Sequence, residues 1–282
     1  MVKLAVAVPA SVVSDTPHLR EKTSKIGLIG RAAAIFRVNE VVVYADNPKV
    51  NQNRDLDLVA TLLLYIETPQ YLRKRLFKID PRLKYAGILP PLRTPHHPLN
   101  SKTANLMVGE YREGVVLPGT KEGLLVDIGV EQPALIREKQ YAVGKRLTVQ
   151  VIKTGRQSEV QAVNGEVPGY WGYKVSVQSS LKKLVGQKNF DFVIGTSIRG
   201  TKWADIVEAV AEKCKQANSA LVAFGAPARG LCEIARDESW NLDEEIDFLV
   251  NTIPNQGTKT VRTEEAVLAS LSIMNIQLGF NA

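Results

Sequence analysis

The first ninety residues alternate between short apolar runs and amphipathic stretches. Residues 3–8 and the β-branched run EVVVYA at 40–45 are short enough to be buried strands. Residues 24–38 and 54–67 place their apolar side chains at helical spacing, which predicts two helices with one buried face each. The order strand, helix, strand, helix is typical of a parallel α/β sheet.

The last hundred residues repeat a different pattern three times, in which an apolar run ends in a segment rich in glycine, proline and small polar residues. The segments read FDFVIGTSIRG, ALVAFGAPARG and, after the run at 246–250, NTIPNQGTKT. Each predicts a strand followed by a loop, with loop residues from Gly195 to Gly200 in the first segment. A helix is predicted to follow the third loop, with Thr263 as its N-cap and Glu264 and Glu265 in its first turn.

These three predicted loops are candidates for one ligand site. Parallel strands share the edge at which they end, so loops that follow them can converge there. The alternative is that they are ordinary connections, since glycine and proline are common turn residues. Neither G-x-x-x-x-G-K-[ST] nor a strand-linked G-x-G-x-x-G occurs, which favours a nucleoside over a triphosphate as the ligand.

The middle of the chain changes character. Between about residues 107 and 175, short strand signals are separated by glycine and proline turns, which predicts a small barrel. The string GLLVDIGV in this region is similar to the strand pattern of RNA-binding OB folds. The proline-rich segment 87–99 marks its start. We therefore predict a discontinuous α/β domain of residues 1–90 and 176–282, with a barrel domain of residues 91–175 inserted in it. The aromatic residues that end the barrel either stack on bases or pack on the barrel: Tyr170, Trp171 and Tyr173.

Positive charge points to a polyanionic partner. The chain has 36 Lys and Arg against 29 Asp and Glu, a formal net charge of +7. The densest basic stretch, PQYLRKRLFKIDPRLK at 69–84, is either an RNA-contacting surface or an amphipathic helix with inward-facing rings, and both can hold. With two cations of the barrel, the RNA-binding candidates are Arg73, Lys74, Arg75, Lys78, Lys145 and Arg146.

Other classes of protein are disfavoured. No apolar run approaches the ~20 residues of a membrane span. Two cysteines, Cys214 and Cys232, cannot form a zinc site by themselves. The adjacent His96 and His97 are more readily structural or RNA-contacting than paired metal ligands. We expect a cytoplasmic protein without metal or membrane association.

The strings FGAPARG and NTIPNQGTKTVRTEEAVLASL resemble the C-terminal cofactor-binding knot of SPOUT-class RNA methyltransferases. Together with KIGLIGRAAAIFRVNEVVVY, PPLRTPHHPL and IGTSIRG, they make the whole chain similar to the archaeal and eukaryotic subfamily with an inserted OB-like barrel. The resemblance implies a C-terminally knotted parallel sheet, a homodimer, and methyl transfer from S-adenosylmethionine to ribosomal RNA, at a uridine ring nitrogen. A non-catalytic RNA-binding factor for ribosome assembly on the same scaffold is the alternative.

The resemblance also implies residue roles. An N-terminal arginine of the family can reach the active site across the dimer, which makes Arg31 the catalytic candidate; the alternative for Arg31 is a solvated helix face. No residue is assigned as general base. By position, the cofactor-binding candidates are Thr196, Arg199, Gly225, Gly230, Asn251, Thr252, Ile253, Gln256 and Gly257.

Overall fold

The computed structural model describes residues 2–138 and 140–279. They fall into two compact units, one made of Met1–Ile66, Arg82–Pro91 and Tyr173–Ala282, the other of Glu67–Pro81 and Leu92–Gly172. In chain order the strands and α-helices are β1 (Lys3–Pro9), α1 (Leu19–Ile35), β2 (Glu40–Tyr44), α2 (Asn53–Glu67), α3 (Gln70–Leu76), β3 (Tyr111–Leu117), β4 (Leu124–Asp127), β5 (Ala134–Ile136), β6 (Arg146–Lys153), β7 (Glu159–Ala162), β8 (Lys174–Gln178), α4 (Leu181–Gly186), β9 (Phe192–Lys202), α5 (Trp203–Gln216), β10 (Ser219–Ala223), α6 (Leu231–Asp237), α7 (Leu242–Glu245), β11 (Phe248–Asn251) and α8 (Thr263–Leu278).

The first unit is built on a parallel sheet. Among the described residues it has six strands in the order β11-β9-β10-β1-β2-β8, and every neighbouring pair runs parallel. Its inner strands are almost wholly buried, which explains why β1, β2 and β10 are continuous apolar runs rather than alternating ones. On one side, α4, α6 and α7 cover the sheet with a core that includes Leu181, Leu231 and Leu242.

The second unit contains a closed barrel of strand order β3-β4-β5-β7-β6. Its interior is filled by aliphatic side chains that alternate along the strands, among them Val126, Ile136, Val149 and Val160. The predicted fold class, a parallel α/β sheet with a small inserted β-barrel, is confirmed. Segment 67–81 groups with the barrel in this division, and the predicted domain bounds stay a prediction.

The predicted end of the strand at β9 is wrong. Gly195 to Gly200 were expected in a loop, but the strand continues to Lys202. The extension pairs with β11, Thr201 opposite Val250, after a register shift in β11. A Cβ at Gly200 would overlap the backbone of Leu249 and Val250. This glycine therefore serves a close approach of two strands, not a turn.

The predicted cap of the last helix is also wrong. Arg262 is the N-cap of α8, and Thr263 is its first helical residue. The backbone N–H of Arg262 donates to Glu265, 2.9 Å away. The Thr263 hydroxyl instead donates to the carbonyl of Gly225, at 3.1 Å.

The first helix, α1, begins at Leu19, five residues before the predicted Ser24. Its first turn is mostly polar, so the sequence shows no helical repeat of apolar side chains there.

The histidine and aromatic residues singled out from the sequence at both ends of the barrel segment form hydrogen bonds within their own unit. His96 is fully buried, and its Nε2 lies 3.0 Å from the carbonyl oxygen of Glu67. The Trp171 indole donates to the Glu113 carboxylate at 2.7 Å. In the α/β unit, the Tyr173 hydroxyl donates to the Leu63 carbonyl at 3.2 Å. Trp171 therefore packs on the barrel, which was one of its two predicted alternatives, whereas the buried Tyr173 packs in the α/β unit and not on the barrel.

Gly172 gives a test of this packing. It has φ +87°, and a Cβ there would overlap the His96 ring. We expect Gly172→Ala to lower the free energy of unfolding by about 2–4 kcal/mol, because it adds a clash to an unfavourable backbone conformation. Urea unfolding of the purified protein measures the effect.

Gly144→Ala is the matched control. Gly144 has φ +85°, but no atom lies within 4 Å of its Cβ position. It should carry the backbone cost alone, about 1–2 kcal/mol. Equal destabilisation by both substitutions would contradict the packing of His96 on Gly172.

Candidate functional site

A cavity of about 260 Å³ lies in the α/β unit, beside the middle of β9 and the carboxyl ends of β10 and β11. Its walls come from three segments far apart in sequence, which the parallel strand order brings together. The lining residues are Thr196, Ser197, Ile198, Arg199, Phe224, Gly225, Ala226, Pro227, Ala228, Arg229, Gly230, Cys232, Glu233, Asn251, Thr252, Ile253, Gln256, Lys259, Thr260, Val261, Thr263, Ala266 and Ser270.

Short polar side chains tie the three segments together. The Thr196 hydroxyl donates to the Ala223 carbonyl at 3.0 Å, so β9 is bonded to the end of β10. The Asn251 amide donates to the Ile198 carbonyl at 3.2 Å, which bonds β11 to β9. The Thr252 and Ser270 hydroxyls lie 2.7 Å apart in the interior. The pocket wall is therefore one hydrogen-bonded surface.

The segment after β10 folds back closely on itself. Its Ala226 N–H donates to the Arg229 carbonyl at 2.8 Å, which forms a tight turn. A Cβ at Gly225 would lie 3.1 Å from Gly230 Cα and 3.2 Å from the Arg229 carbonyl oxygen. Gly225 thus permits a backbone approach that a side chain would obstruct.

One carboxylate stands on the pocket wall, and its position is fixed. Glu233 lies in the first turn of α6 and accepts the Gly230 N–H at 2.6 Å. Its other oxygen accepts a hydrogen bond from the Arg199 guanidinium at 3.0 Å. Arg199 and Glu233 are both more than a third exposed, so they form a polar rim rather than a buried charge pair.

A buried carboxylate supports the same wall from behind. Asp46, at the end of β2, is fully buried and accepts hydrogen bonds from the Ser11 N–H and hydroxyl at 3.0 and 2.7 Å. The Arg229 guanidinium lies 2.6 Å from its second oxygen. Sequence reasoning missed Asp46 because a lone Asp after a strand looks like a turn residue.

Most of the predicted cofactor residues lie on this wall: Thr196, Arg199, Gly225, Gly230, Asn251, Thr252, Ile253 and Gln256. Gly257 is exposed and not among the lining residues. Arg31 lies on α1, donates to the Pro91 carbonyl at 3.2 Å, and does not line the cavity. Sequence analysis missed Glu233 and Ser270; the spacing of Glu233 from Gly230, an N-cap and N3 pair, is the signal that could have identified it.

The chemistry of the wall suits an adenosyl compound. Phe224, Ile253 and Val261 offer apolar surface, and the glycine-rich turn offers backbone groups for hydrogen bonds. Glu233 is the one carboxylate among the described lining residues, and the cations Arg199, Arg229 and Lys259 line the same cavity. S-adenosylmethionine, with a planar base, hydroxyls and a sulfonium, fits this set of groups.

The cations of α3 and of the segment that follows it are of two kinds, those with a hydrogen-bond or ion-pair partner among the described residues and those without one there. Arg75 forms an ion pair with Asp127, and Arg73 donates to the Thr68 carbonyl at 2.9 Å. Lys74 and Lys78 are exposed and, within residues 2–138 and 140–279, have no carboxylate partner. The Tyr71 ring packs on Gly129 of the barrel, so the ring is structural and the lysines face solvent.

Arg146 and Lys145, the predicted RNA-contacting residues of the barrel, differ sharply. Lys145 Nζ lies 5.3 Å from the Tyr141 ring centroid, an accessible cation–π contact. Arg146 donates to Glu67 at 2.7 Å and forms a second ion pair with Glu113. Two carboxylates surround its guanidinium, and its role in RNA binding stays a prediction.

The acid of this cluster is strongly perturbed. Burial raises the pKa of Glu67, but hydrogen bonds from His96 and Arg146 outweigh burial and lower the pKa to about 2. Burial, with the neighbouring His96, lowers the pKa of His97 to about 4. The cluster therefore holds an ionised Glu67 beside a neutral His97 at neutral pH.

Two further observations concern the described residues only. No helix among them combines the length and apolarity that crossing a bilayer requires. No cluster of three or more His, Cys, Asp or Glu side chains within residues 2–138 and 140–279 has the arrangement of a metal site.

Comparisons with known proteins point to one family. A family model described as "Putative RNA methyltransferase" matches residues 3–274. The chain is 32% identical to a 28S rRNA (uridine-N(3))-methyltransferase of Drosophila melanogaster, over 98% of this chain and 62% of that protein. It is 32% identical to a human protein of the same name, over 96% of this chain and 77% of that protein. An uncharacterized protein of Halobacterium salinarum is 33% identical over 96% and 98% of the two chains.

The perturbed Glu67 generates a prediction about acid stability. Because its pKa is about 2 in the folded state and about 4.3 in an unfolded chain, Glu67 stabilises the fold fully above pH 4.3. This stabilisation is lost as the pH falls from about 4.3 towards 2. We expect Glu67→Gln to be less stable than the wild-type protein at neutral pH, with a difference that shrinks below pH 4.3. Urea unfolding at a series of pH values measures it.

Glu122→Gln is the control for this experiment. Glu122 is an exposed carboxylate of the same barrel unit, and its substitution should leave stability nearly unchanged at every pH. A Glu67→Gln protein whose deficit stays constant down to pH 3 would show that the lowered pKa is not the source.

Proposed function

Since this chain belongs to the RNA methyltransferase family whose model matches residues 3–274, we propose that it transfers a methyl group from S-adenosylmethionine to N3 of a uridine in large-subunit ribosomal RNA. The carrying observation is the pocket beside the middle of β9 and the ends of β10 and β11, with its glycine-rich turn and single rim carboxylate. The uridine target follows the names of the insect and human relatives. The chain spans 62% of the length of the insect relative, so that protein's activity as a whole is part of the proposal.

The proposed roles of the residues follow from their positions. The turn from Gly225 to Gly230 and the side chains of Asn251, Ile253 and Gln256 hold the adenosyl compound. Glu233 faces its positive charge, and Arg199 keeps the Glu233 carboxylate in place. When bound, S-adenosylmethionine supplies a methyl group already activated for transfer. The main task of the protein is then to orient the uracil ring and exclude water.

The C-terminal knot and the homodimer implied by the family resemblance are part of the same proposal. Several large apolar side chains on α1 and α8 are exposed, including Leu28, Ile35, Leu268 and Ile276. Surface of this kind is common at interfaces between identical subunits. Arg31 lies on α1 among these residues, which supports its candidate role in a partner's site. A cytoplasmic location stays a prediction.

Mapping the modified nucleosides tests the proposal. Mass spectrometry of ribosomal RNA from a strain that lacks the gene should show the loss of one 3-methyluridine, restored by the wild-type gene. RNA with an unchanged set of methylated uridines, from a strain whose ribosomes assemble poorly, would favour the non-catalytic assembly factor instead.

The first site prediction is that Ala266→Phe blocks the pocket. Ala266 lies on α8 and lines the cavity, so a phenyl ring there would occupy ligand space. We expect affinity for S-adenosylmethionine and S-adenosylhomocysteine to fall about a hundredfold, comparable to the loss of 2–3 kcal/mol of contacts. Isothermal titration calorimetry measures both ligands.

The control for the blocked pocket is Ala209→Phe, which adds the same ring at an exposed position of α5. It should bind both compounds as the wild-type protein does. If Ala266→Phe also binds normally, the cofactor site lies elsewhere.

The second prediction concerns RNA binding by α3 and the segment that follows it. We expect Lys74→Glu with Lys78→Glu to weaken binding of single-stranded RNA and to reduce the salt slope by about two, because two unpaired cations leave the surface. Fluorescence anisotropy at several salt concentrations measures the slope. Charge reversal at Lys213 and Lys215 of α5 is the control, and an equal effect there would show only a general electrostatic response.

A further inference from the structure

A second cavity, of about 590 Å³, opens in the α/β unit at the ends of β2 and β8. We call it the β2–β8 crevice. None of the roles proposed above uses it. Its lining residues are Ala45, Asn47, Pro48, Val50, Asn51, Gln52, Asn53, Leu56, Val177, Gln178, Ser179, Ser180, Lys183 and Glu238.

The crevice combines neutral hydrogen-bonding groups with apolar surface. Five of its side chains are primary amides of asparagine or glutamine at its mouth or walls, at positions 47, 51, 52, 53 and 178. Val50 and Val177 are about half exposed, at 55% and 48%, so apolar surface is open to a ligand. A planar ring with a polar edge is the ligand class that such walls accommodate.

Some of these amides are committed to the fold and others are available. Gln52 is buried and accepts the N–H groups of Asp46 and Asn47 at 2.9 and 2.8 Å, so it is part of the wall. The side-chain oxygens of Asn47 and Asn51 accept backbone N–H groups at 3.1 and 2.9 Å. Within residues 2–138 and 140–279, the NH₂ groups of these two asparagines have no hydrogen-bond partner and are free to donate to a ligand.

The charges in the crevice are suited to a single phosphate. Glu238 accepts hydrogen bonds from the N–H groups of Leu181 and Lys182 at 3.1 and 2.7 Å, so the backbone at the start of α4 stabilises its negative charge. Lys183 is exposed and has no carboxylate partner among the described residues. One unpaired cation balances one phosphodiester, whereas a di- or triphosphate requires a cradle of several donors.

The crevice and the first pocket lie along the same edge of the sheet. All six strands run parallel, and β10 and β2 are separated only by β1. With about 4.8 Å between strands, β10 and β2 are roughly 10 Å apart, and β9 and β8 roughly 19 Å. Helix α6 begins at the first pocket with Gly230 as its N-cap and ends at Asp237, next to Glu238 of the crevice.

We propose that the β2–β8 crevice binds a nucleotide of single-stranded RNA near the uridine that is methylated. The asparagine amides contact the base edge, Val50 and Val177 contact its face, and Lys183 lies beside its phosphate. RNA recognition by unstacked bases in shallow clefts is common for single strands. The inference rests on the proposed function for its choice of RNA, and the spacing along the sheet edge sets the bound nucleotide a few positions from the target.

Photo-cross-linking tests the location directly. The probe is an oligouridylate of about 12 nucleotides that carries 4-thiouridine, a length within the site sizes of single-strand binders. We expect cross-linked peptides from residues 45–56 or 177–183, identified by mass spectrometry of the full-length protein. Cross-links confined to peptides outside both ranges would overturn the proposal.

Two substitutions test the contacts. Ser179 is exposed and lines the crevice, so Ser179→Trp should fill it without disturbing the core and lower affinity for the oligouridylate about fivefold or more. Lys183→Gln should reduce the salt slope by about one. Lys188→Gln, an exposed lysine beyond the end of α4, is the matched control and should leave the slope closer to that of the wild-type protein.

The outcomes separate this inference from the proposed function. Calorimetry with S-adenosylhomocysteine on each variant shows whether the first pocket remains intact. Unchanged RNA affinity in Ser179→Trp, with the cofactor still bound, removes the crevice from RNA recognition and leaves the methyltransferase proposal standing. Cross-links in the crevice of a protein that binds no adenosyl compound would support the crevice and remove the methyltransferase proposal.

Discussion

The carbonyl groups at the ends of parallel strands impose the main constraint on this fold. Where a strand leaves the sheet, its backbone loses ladder partners, and buried carbonyls without a partner are costly. Here side chains from other elements supply the missing donors. The Tyr44 hydroxyl donates to the Phe224 carbonyl at 2.6 Å, Thr263 to Gly225, and Thr196 to Ala223. These bonds satisfy the backbone and, for the same reason, hold the pocket segments together. The hydrogen bonds that satisfy the carbonyl groups at the strand ends therefore also shape the site.

Charge pairing reduces the number of cations in the barrel unit that are available to a polyanion. Several cations of the barrel unit hold the unit together instead of facing a polyanion: Arg75 with Asp127, Arg146 with Glu67 and Glu113, and Arg137 and Lys153 with Glu159. A count of Lys and Arg overestimates the surface available to RNA. Lys74 and Lys78 of the barrel unit and Lys183 of the α/β unit are exposed and have no carboxylate partner within the described residues, so an electrostatic argument can rest on them.

The sequence predicted what depends on local pattern and missed what depends on distant partners. The apolar runs of β2 and β10 and the helical period of α2 carry their own signal, so the predicted bounds of these elements are close to the observed ones. The continuation of β9 to Lys202 could not be read from glycine, threonine and serine, because it depends on pairing with β11 some fifty residues later. The role of Asp46 was hidden for the same reason, since Arg229 is its partner across 183 positions. The predicted wall residues of the pocket came from a family resemblance. Glu233 could have been identified from its N3 position after Gly230, whereas Ser270 lies far along the chain and only the fold brings it to the pocket.

The Asp46 contacts join the two cavities of the α/β unit. Its carboxylate accepts Gln52 Nε2 at 2.9 Å on the side of the β2–β8 crevice and pairs with Arg229 on the side of the first pocket. A fully buried carboxylate with this many donors favours one arrangement, because the loss of Arg229 would leave its charge without an opposite charge in the interior. The two cavities therefore share a fixed wall and not a hinge. Both cavities therefore have a wall of fixed geometry. Such a wall favours the binding of an extended molecule along a rigid row of strand ends over binding by the closure of a loop.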